Sequence, residues 1–142
     1  MNLYAESSAV LAWLLGEDGG DDVIERLSAA RIVLTSGLTL IECDRILHRA
    51  VALGKLNESE AAGRRTSVAT AAEHWAVVAI DGEIAERARR AFPHEPIRTL
   101  DAIHLATALV ARSLVTDLQI LSLDERICGN AAELGFDVVP AA

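Results

Sequence analysis

Lysine is nearly absent from this chain: of thirteen basic side chains, all but Lys55 are arginines. Arginine grips phosphate through a bidentate fork where lysine offers only a point charge, although a GC-rich genome produces the same bias. The acids outnumber them, and the formal net charge of −8 excludes a simple nucleic-acid-coating protein, which would be basic. It leaves room for an enzyme that binds a divalent cation, because a cluster of carboxylates inflates the negative count. Aromatics make up 4% of the chain against 51% hydrophobic residues, so the core must be aliphatic and rich in alanine. No apolar run approaches the ~18–20 residues that cross a bilayer. The short run Ala9–Leu15 has no basic stretch before it and meets Glu17 and Asp18, which argues against a signal peptide. The only cysteines, Cys43 and Cys128, lack metal-like spacing and fall in helical stretches. They read as buried free thiols in a reducing cytoplasm. There is no internal repeat, low-complexity tract or linker, so the 142 residues are expected to form a single domain, residues 1–142.

What is present is an alternation of short apolar runs with helical periodicity. Leu3–Glu6, Ile32–Thr35, Ala76–Ile80, Leu118–Leu123 and Phe136–Val139 read as strands. Helices are expected after Ser8, which is placed as a cap, to about Leu15, and from Asp21 or Asp22 as cap through Leu27. Further helices are expected over about 38–53 (ended by Gly54), from the Asn57/Glu60 capping box to about Trp75, over 83–91 after Asp81, and from Asp124 to near Gly135. Apolar strands separated by helices predict an α/β, doubly wound fold: a mostly parallel central sheet of about five strands flanked by helices. Such folds place their sites at the carboxyl ends of the strands.

The densest stretch is Arg98–Leu109, with Thr99 as expected N-cap and an almost wholly apolar circumference, the mark of a core helix. Asp101 in its first turn is the exception. Glu6 closes the first strand, Glu42 lies early in the helix after the second, and Asp124 follows the fourth. Each has a structural alternative. Asp101 favours a helix N-terminus, Thr39 and Glu42 have capping-box spacing, Asp124 suits an N-cap, and Glu6 suits an exposed strand end. Together they lie on one edge of a doubly wound sheet. Carboxylates crowded in one pocket raise one another's pKa unless compensated. A hard cation such as Mg²⁺, which takes oxygen ligands and keeps several waters, is the natural compensator.

These residues carry a resemblance that spans nearly the whole chain. It is similar to the PIN-domain family and, within it, to VapC-type toxins of bacterial toxin–antitoxin pairs. The segments are Tyr4-Ala5-Glu6-Ser7-Ser8-Ala9, the L-T-L-I-E run ending in Glu42, and the L-D-A-I-H-L-A-T-A-L run around Asp101. The last is Ser122-Leu123-Asp124, followed by Ala131-Ala132-Glu133-Leu134-Gly135. Asp117 in Val115-Thr116-Asp117 is a rival for the fourth acid, placed second on spacing. The resemblance implies a Mg²⁺- or Mn²⁺-dependent endoribonuclease, commonly dimeric, held inactive by a VapB-type antitoxin, with RNA (tRNA among the candidates) as substrate. Its implied site is Glu6, Glu42, Asp101 and Asp124. Glu6, Asp101 and Asp124 hold the metal, while Ser8 and Ser122 orient carboxylates from behind. The chain departs from the family at Glu6, where aspartate is usual; the added methylene loosens an octahedral site or shifts it towards Mn²⁺. His104, one turn on from Asp101, reads mainly as a structural histidine. Arg45, Arg49, Arg64, Arg65 and Arg98 are the RNA-contact candidates.

Two other functions compete. One is a degenerate PIN domain that dimerises and binds its partner without cutting. The other is an aspartyl phosphotransferase, which would need an aspartate at the end of the first strand and a lysine at the phosphate. The strand ends in Glu6, and Lys55 sits beside Gly54.

Overall fold

The computed structural model describes residues 1–140. The chain runs β1 (Asn2–Ala5), α1 (Ser7–Leu15), α2 (Gly20–Ala29), β2 (Ile32–Ser36), α3 (Gly37–Ala52) and α4 (Glu58–Ala72). It continues through β3 (Ala76–Val78), α5 (Gly82–Ala88), α6 (Thr99–Arg112), β4 (Leu118–Leu121), α7 (Glu125–Glu133) and β5 (Val138–Val139). The five strands form one sheet in the order β3-β2-β1-β4-β5, and every neighbouring pair is parallel. The expected doubly wound fold is therefore the observed one. The chain builds outward from β1 through β2 to β3, then returns to the other side of β1 for β4. The order reverses at β1/β4, and a crevice opens at the carboxyl ends of those two strands.

Alternation along the strands divides the core between the two faces of the sheet. Leu3 and Ala5 of β1 join Val33, Val10, Val23, Leu47 and Val68 under α1–α4. Tyr4 joins Leu34, Ile120, Leu105, Ile127 and Phe136 under α5–α7. Cys43 is buried among aliphatics, and burial pushes its thiol up to about 12. Cys128, expected buried, is only partly so. Glycine matters at Gly20, where a Cβ would lie 2.6 Å from the Ala12 carbonyl oxygen. Only a residue without a side chain lets α2 start so close against α1.

Several expected boundaries move. Neither Asp21 nor Asp22 caps α2; Gly19, in a left-handed conformation, is its N-cap, and the two acids occupy the first turn. Ser8 lies inside α1, whose N-cap is Glu6. Thr99 is the first residue of α6, after Arg98, which caps without a side-chain hydrogen bond. The third strand stops at Val78, a short and largely exposed edge, because no strand pairs beyond it. On α3 and α4, Leu47 and Val68 are core residues, and on α3 and just after it Ile41 and Leu53 are exposed. Among the described residues, no helix is long and apolar enough to cross a membrane.

Candidate active site

Glu6 follows β1 at the reversal crevice and folds back to cap α1. Its carboxylate is only 3% exposed and receives four donors. Ser7 Oγ (2.7 Å) and the Ser8 backbone N–H (2.9 Å) reach Oε2, while Ser8 Oγ (2.5 Å) and Ser122 Oγ (2.6 Å) reach Oε1. The two outer serines are held in turn: Ser8 Oγ accepts from the Leu123 N–H at 3.0 Å and Ser122 Oγ from the Asp124 N–H at 3.1 Å. A carboxylate offers about four lone-pair positions, and here all are engaged. The network ties the start of α1 to the end of β4. Burial, not solvent exposure, is the state of this strand-end acid.

Glu42 does not close a capping box. The helix begins earlier, at Ser36, whose Oγ accepts from the Leu38 N–H, and Thr39 accepts a hydrogen bond from Thr35 at 2.8 Å. Glu42 is thereby free to point across the sheet edge. Its Oε1 lies 2.8 Å from His104 Nε2, and its Oε2 takes a longer, shared bond from Ser7 Oγ at 3.1 Å. On its other side His104, 2% exposed, sets Nδ1 2.8 Å from the Tyr4 hydroxyl. Burial, then the charge of Glu6, raises the Tyr4 pKa, so the phenol stays protonated. A phenol that donates to Nδ1 leaves the imidazole proton on Nε2, the nitrogen that faces Glu42.

Asp101 and Asp124 differ from this inner pair in being open. Asp124 caps α7 through Oδ1, which accepts from the Arg126 and Ile127 N–H groups at 2.9 and 3.0 Å; Oδ2 has no partner among the described residues. The capping alternative thus holds for Asp124 and still leaves one oxygen free. Asp101, in the first turn of α6, has the Arg98 backbone amide as the one hydrogen-bonding neighbour of its carboxylate. Its pKa is raised, first by burial and then by the charges of Asp124 and Glu6. The two acids line an open groove of about 370 Å³ together with Arg98, Leu123, Glu125 and Arg126. Asp117 precedes β4 in a left-handed turn, at the amino edge of the sheet and away from the other acids.

Among the described residues, no three histidines, cysteines or acids approach closely enough to enclose an ion. The donor set nevertheless fits a hard cation of a particular kind. Mg²⁺ is commonly bound by one or two carboxylates and several waters, and Asp101 and Asp124 are two under-partnered carboxylates whose negative charge is uncompensated. Sequence reasoning singled out neither Tyr4 nor Ser7 and read His104 mainly as structural; the structure puts Ser7 and His104 in hydrogen-bonding contact with the acids and Tyr4 behind His104. The signal for His104 was its spacing of three from Asp101, which puts both on one helix face; nothing local marked its partner Tyr4.

A PIN-domain family model matches residues 3–133. The chain belongs to the PIN-domain family. It is 32% identical over 138 residues to a protein of Mycobacterium tuberculosis named ribonuclease VapC46, covering 96% of this chain and 95% of that one. Two solved PIN-like structures share its fold. One is a toxin–antitoxin complex from Klebsiella pneumoniae, with a TM-score of 0.65 and 18% identity over 99% of this chain and 98% of that one. The other is VapC20 of Mycobacterium tuberculosis, described as a sarcin–ricin-loop-cleaving toxin, with a TM-score of 0.63 and 15% identity over 95% and 96% of the two chains. Glu6, Glu42, Asp101 and Asp124 all lie within the matched residues.

Proposed function

We propose that this single PIN-like unit is a Mg²⁺- or Mn²⁺-dependent endoribonuclease of the cytoplasm that hydrolyses RNA phosphodiesters as the toxin of a VapBC-type pair. The observation that carries the reading is the pair of under-partnered carboxylates, Asp101 and the free oxygen of Asp124, across the crevice where the strand order reverses. A divalent cation bound there supplies polarisation of a phosphate oxygen and lowers the pKa of an attacking water. Asp101 and Asp124 hold it. Glu6, locked by Ser7, Ser8 and Ser122, adds negative charge from behind. Glu42, oriented by His104, completes the acidic edge. Purified protein is expected to cleave a structured RNA with Mn²⁺ or Mg²⁺ and to stop when EDTA is added. Cleavage that continues in chelator removes the metal from the mechanism.

A second reading has one observation in its favour: the four donors that saturate Glu6. If that carboxylate never turns towards the ion, the chain is a binding module that grips its antitoxin without cutting. Calorimetric Mn²⁺ titration without heat, joined to no cleavage of any RNA, selects this reading.

The antitoxin and a second copy of the chain are proposed to dock on the outer side of α1, α3 and α4. Leu15, Ile46, Leu53 and Leu56 line a groove of about 390 Å³ rimmed by Arg49, Lys55 and Arg64. An amphipathic helix with an acidic flank suits it. Leu53→Asp is expected to weaken inhibition by the antitoxin while leaving cleavage by the free protein intact. Unchanged inhibition moves the partner elsewhere, and a strictly monomeric sedimentation profile at micromolar concentration removes the homodimer.

A further inference from the structure

The acidic groove does not end at Asp101. Arg98 is also a wall of a second, larger groove of about 620 Å³, lined by Arg89, Arg90, Phe92, Glu95 and Ile97. Both volumes fall within the ~300–1,000 Å³ of ligand clefts, and the two grooves adjoin at Arg98, which lines both. Its positive groups are unspent. The side chains of Arg90, Arg98 and Arg126 make no ion pair or hydrogen bond with the described residues. Arg89 has only a long contact to exposed Glu86 at 3.8 Å. The one acid in the second groove, Glu95, is committed to its own loop, its two oxygens accepting from the Phe92 and Ile97 N–H groups. Arg87, stacked on Phe92 at 4.2 Å, has its pKa lowered by burial and by Arg90, a sign of uncompensated positive charge on this edge. Elsewhere four arginines are occupied, whereas the side chains of Arg31, Arg45 and Arg49, like those of Arg90, Arg98 and Arg126, make no ion pair or hydrogen bond with the described residues. Arg64 bonds the Leu14 carbonyl, Arg65 pairs with Asp44, Arg26 with Asp22, and Arg112 bonds the Leu134 carbonyl. Arg64 and Arg65, candidates for RNA contact on sequence, are thus occupied structurally.

We propose that these two adjoining grooves together form the path of a single RNA strand, its phosphates held by Arg126 and Arg98 beside the acid pair and by Arg90 beyond it. The inference rests on the nuclease reading above and adds the direction in which substrate lies. Guanidiniums fork on to phosphate oxygens, and small apolar residues between them (Ala88, Ala91, Ala102) leave room for sugars. In a protein of net charge −8, a local arginine strip gives a polyanion one favourable place to approach.

The test is fluorescence anisotropy of a fluorescein-labelled polyuridylate strand with the purified chain in EDTA, beside cleavage assays in Mn²⁺. Arg90→Gln/Arg98→Gln is expected to raise Kd about tenfold and to flatten the dependence of log Kd on log salt by ~1.4, the value for two lost single-strand phosphate contacts. In the cleavage assay KM rises and kcat stays. Arg31→Gln, at the amino edge of the sheet before β2, leaves both unchanged. An unaltered Kd and slope in the double variant, or an equal loss in Arg31→Gln, overturns the path. A parent that cleaves while the double variant binds normally sinks this inference alone. A parent that binds through Arg90 and Arg98 but never cleaves sinks the nuclease reading and keeps the path.

Discussion

Asp101→Asn is expected to reduce RNA cleavage more than about 100-fold, beyond the 10–100-fold typical of residues that only support a metal ligand. The substitution keeps size and neutral hydrogen-bonding capacity and removes the charge that a hard cation needs. The fold is expected to survive. The Arg98 backbone amide favours the charged Asp101 carboxylate, but burial together with Asp124 and Glu6 outweighs it and makes the carboxyl harder to ionise than in an unfolded chain. A carboxyl with a raised folded pKa opposes folding as pH rises through its titration, so deleting the charge relieves a repulsion at neutral pH. The melting temperature of the metal-free variant should equal or exceed that of the parent. Mn²⁺ should raise the melting temperature of the parent by linkage and leave the variant nearly unmoved. If Asp101 merely favours the helix N-terminus, the change costs less than about 1 kcal/mol and cleavage persists. Circular dichroism melts with and without Mn²⁺, run beside the RNA assay, separate these outcomes.

How far the sequence reads depends on how local each determinant is. Asn57 and Glu60 satisfy each other across one turn, and the expected capping box is present with both bonds. Thr39 and Glu42 have the same spacing and form none, because Ser36 starts the helix a turn earlier and draws Thr39 inward towards Thr35. The composition of α6 announced a core helix, and it is one, but its cap was misread because Arg98 ends the extended loop one residue before Thr99. Parallel strands buried on two faces announce themselves as apolar runs. The edge strand β3 does so poorly, since pairing stops at Val78. Within the site, the acids were legible because charge on apolar segments is conspicuous. The resemblance also pointed to Ser8 and Ser122 as groups that orient carboxylates, but that both converge on Glu6 was not legible, since Ser122 lies 116 residues away. Only the β1/β4 pairing, which sets Ala5 beside Leu121, brings them together.

The same distance hides the buried relay from Tyr4 through His104 to Glu42, whose members lie 100 and 62 residues apart. Its physical content is orientation. A glutamate side chain has three rotatable bonds, and Glu42 is held by one short bond from His104 and a weaker, shared one from Ser7. His104→Leu removes the first and strands the buried Tyr4 hydroxyl, a loss of about 1–3 kcal/mol in stability. Glu42 remains partly exposed, so water can satisfy it and the fold persists, but its direction is lost. Cleavage is expected to fall 10–100-fold, chiefly in kcat, as when groups that orient ligands are removed. His104→Gln supplies an N–H near the position of Nε2 and is expected to recover most of the activity while keeping part of the stability loss. Tyr4→Phe, which deletes the partner that fixes the imidazole tautomer, is expected to fall between them. Chemical denaturation and steady-state cleavage, measured on all three, decide the matter. If His104→Leu loses stability yet cleaves like the parent, the histidine is a core residue and nothing more. If His104→Gln is as inactive as His104→Leu at equal stability, donation to Glu42 is not what the imidazole contributes.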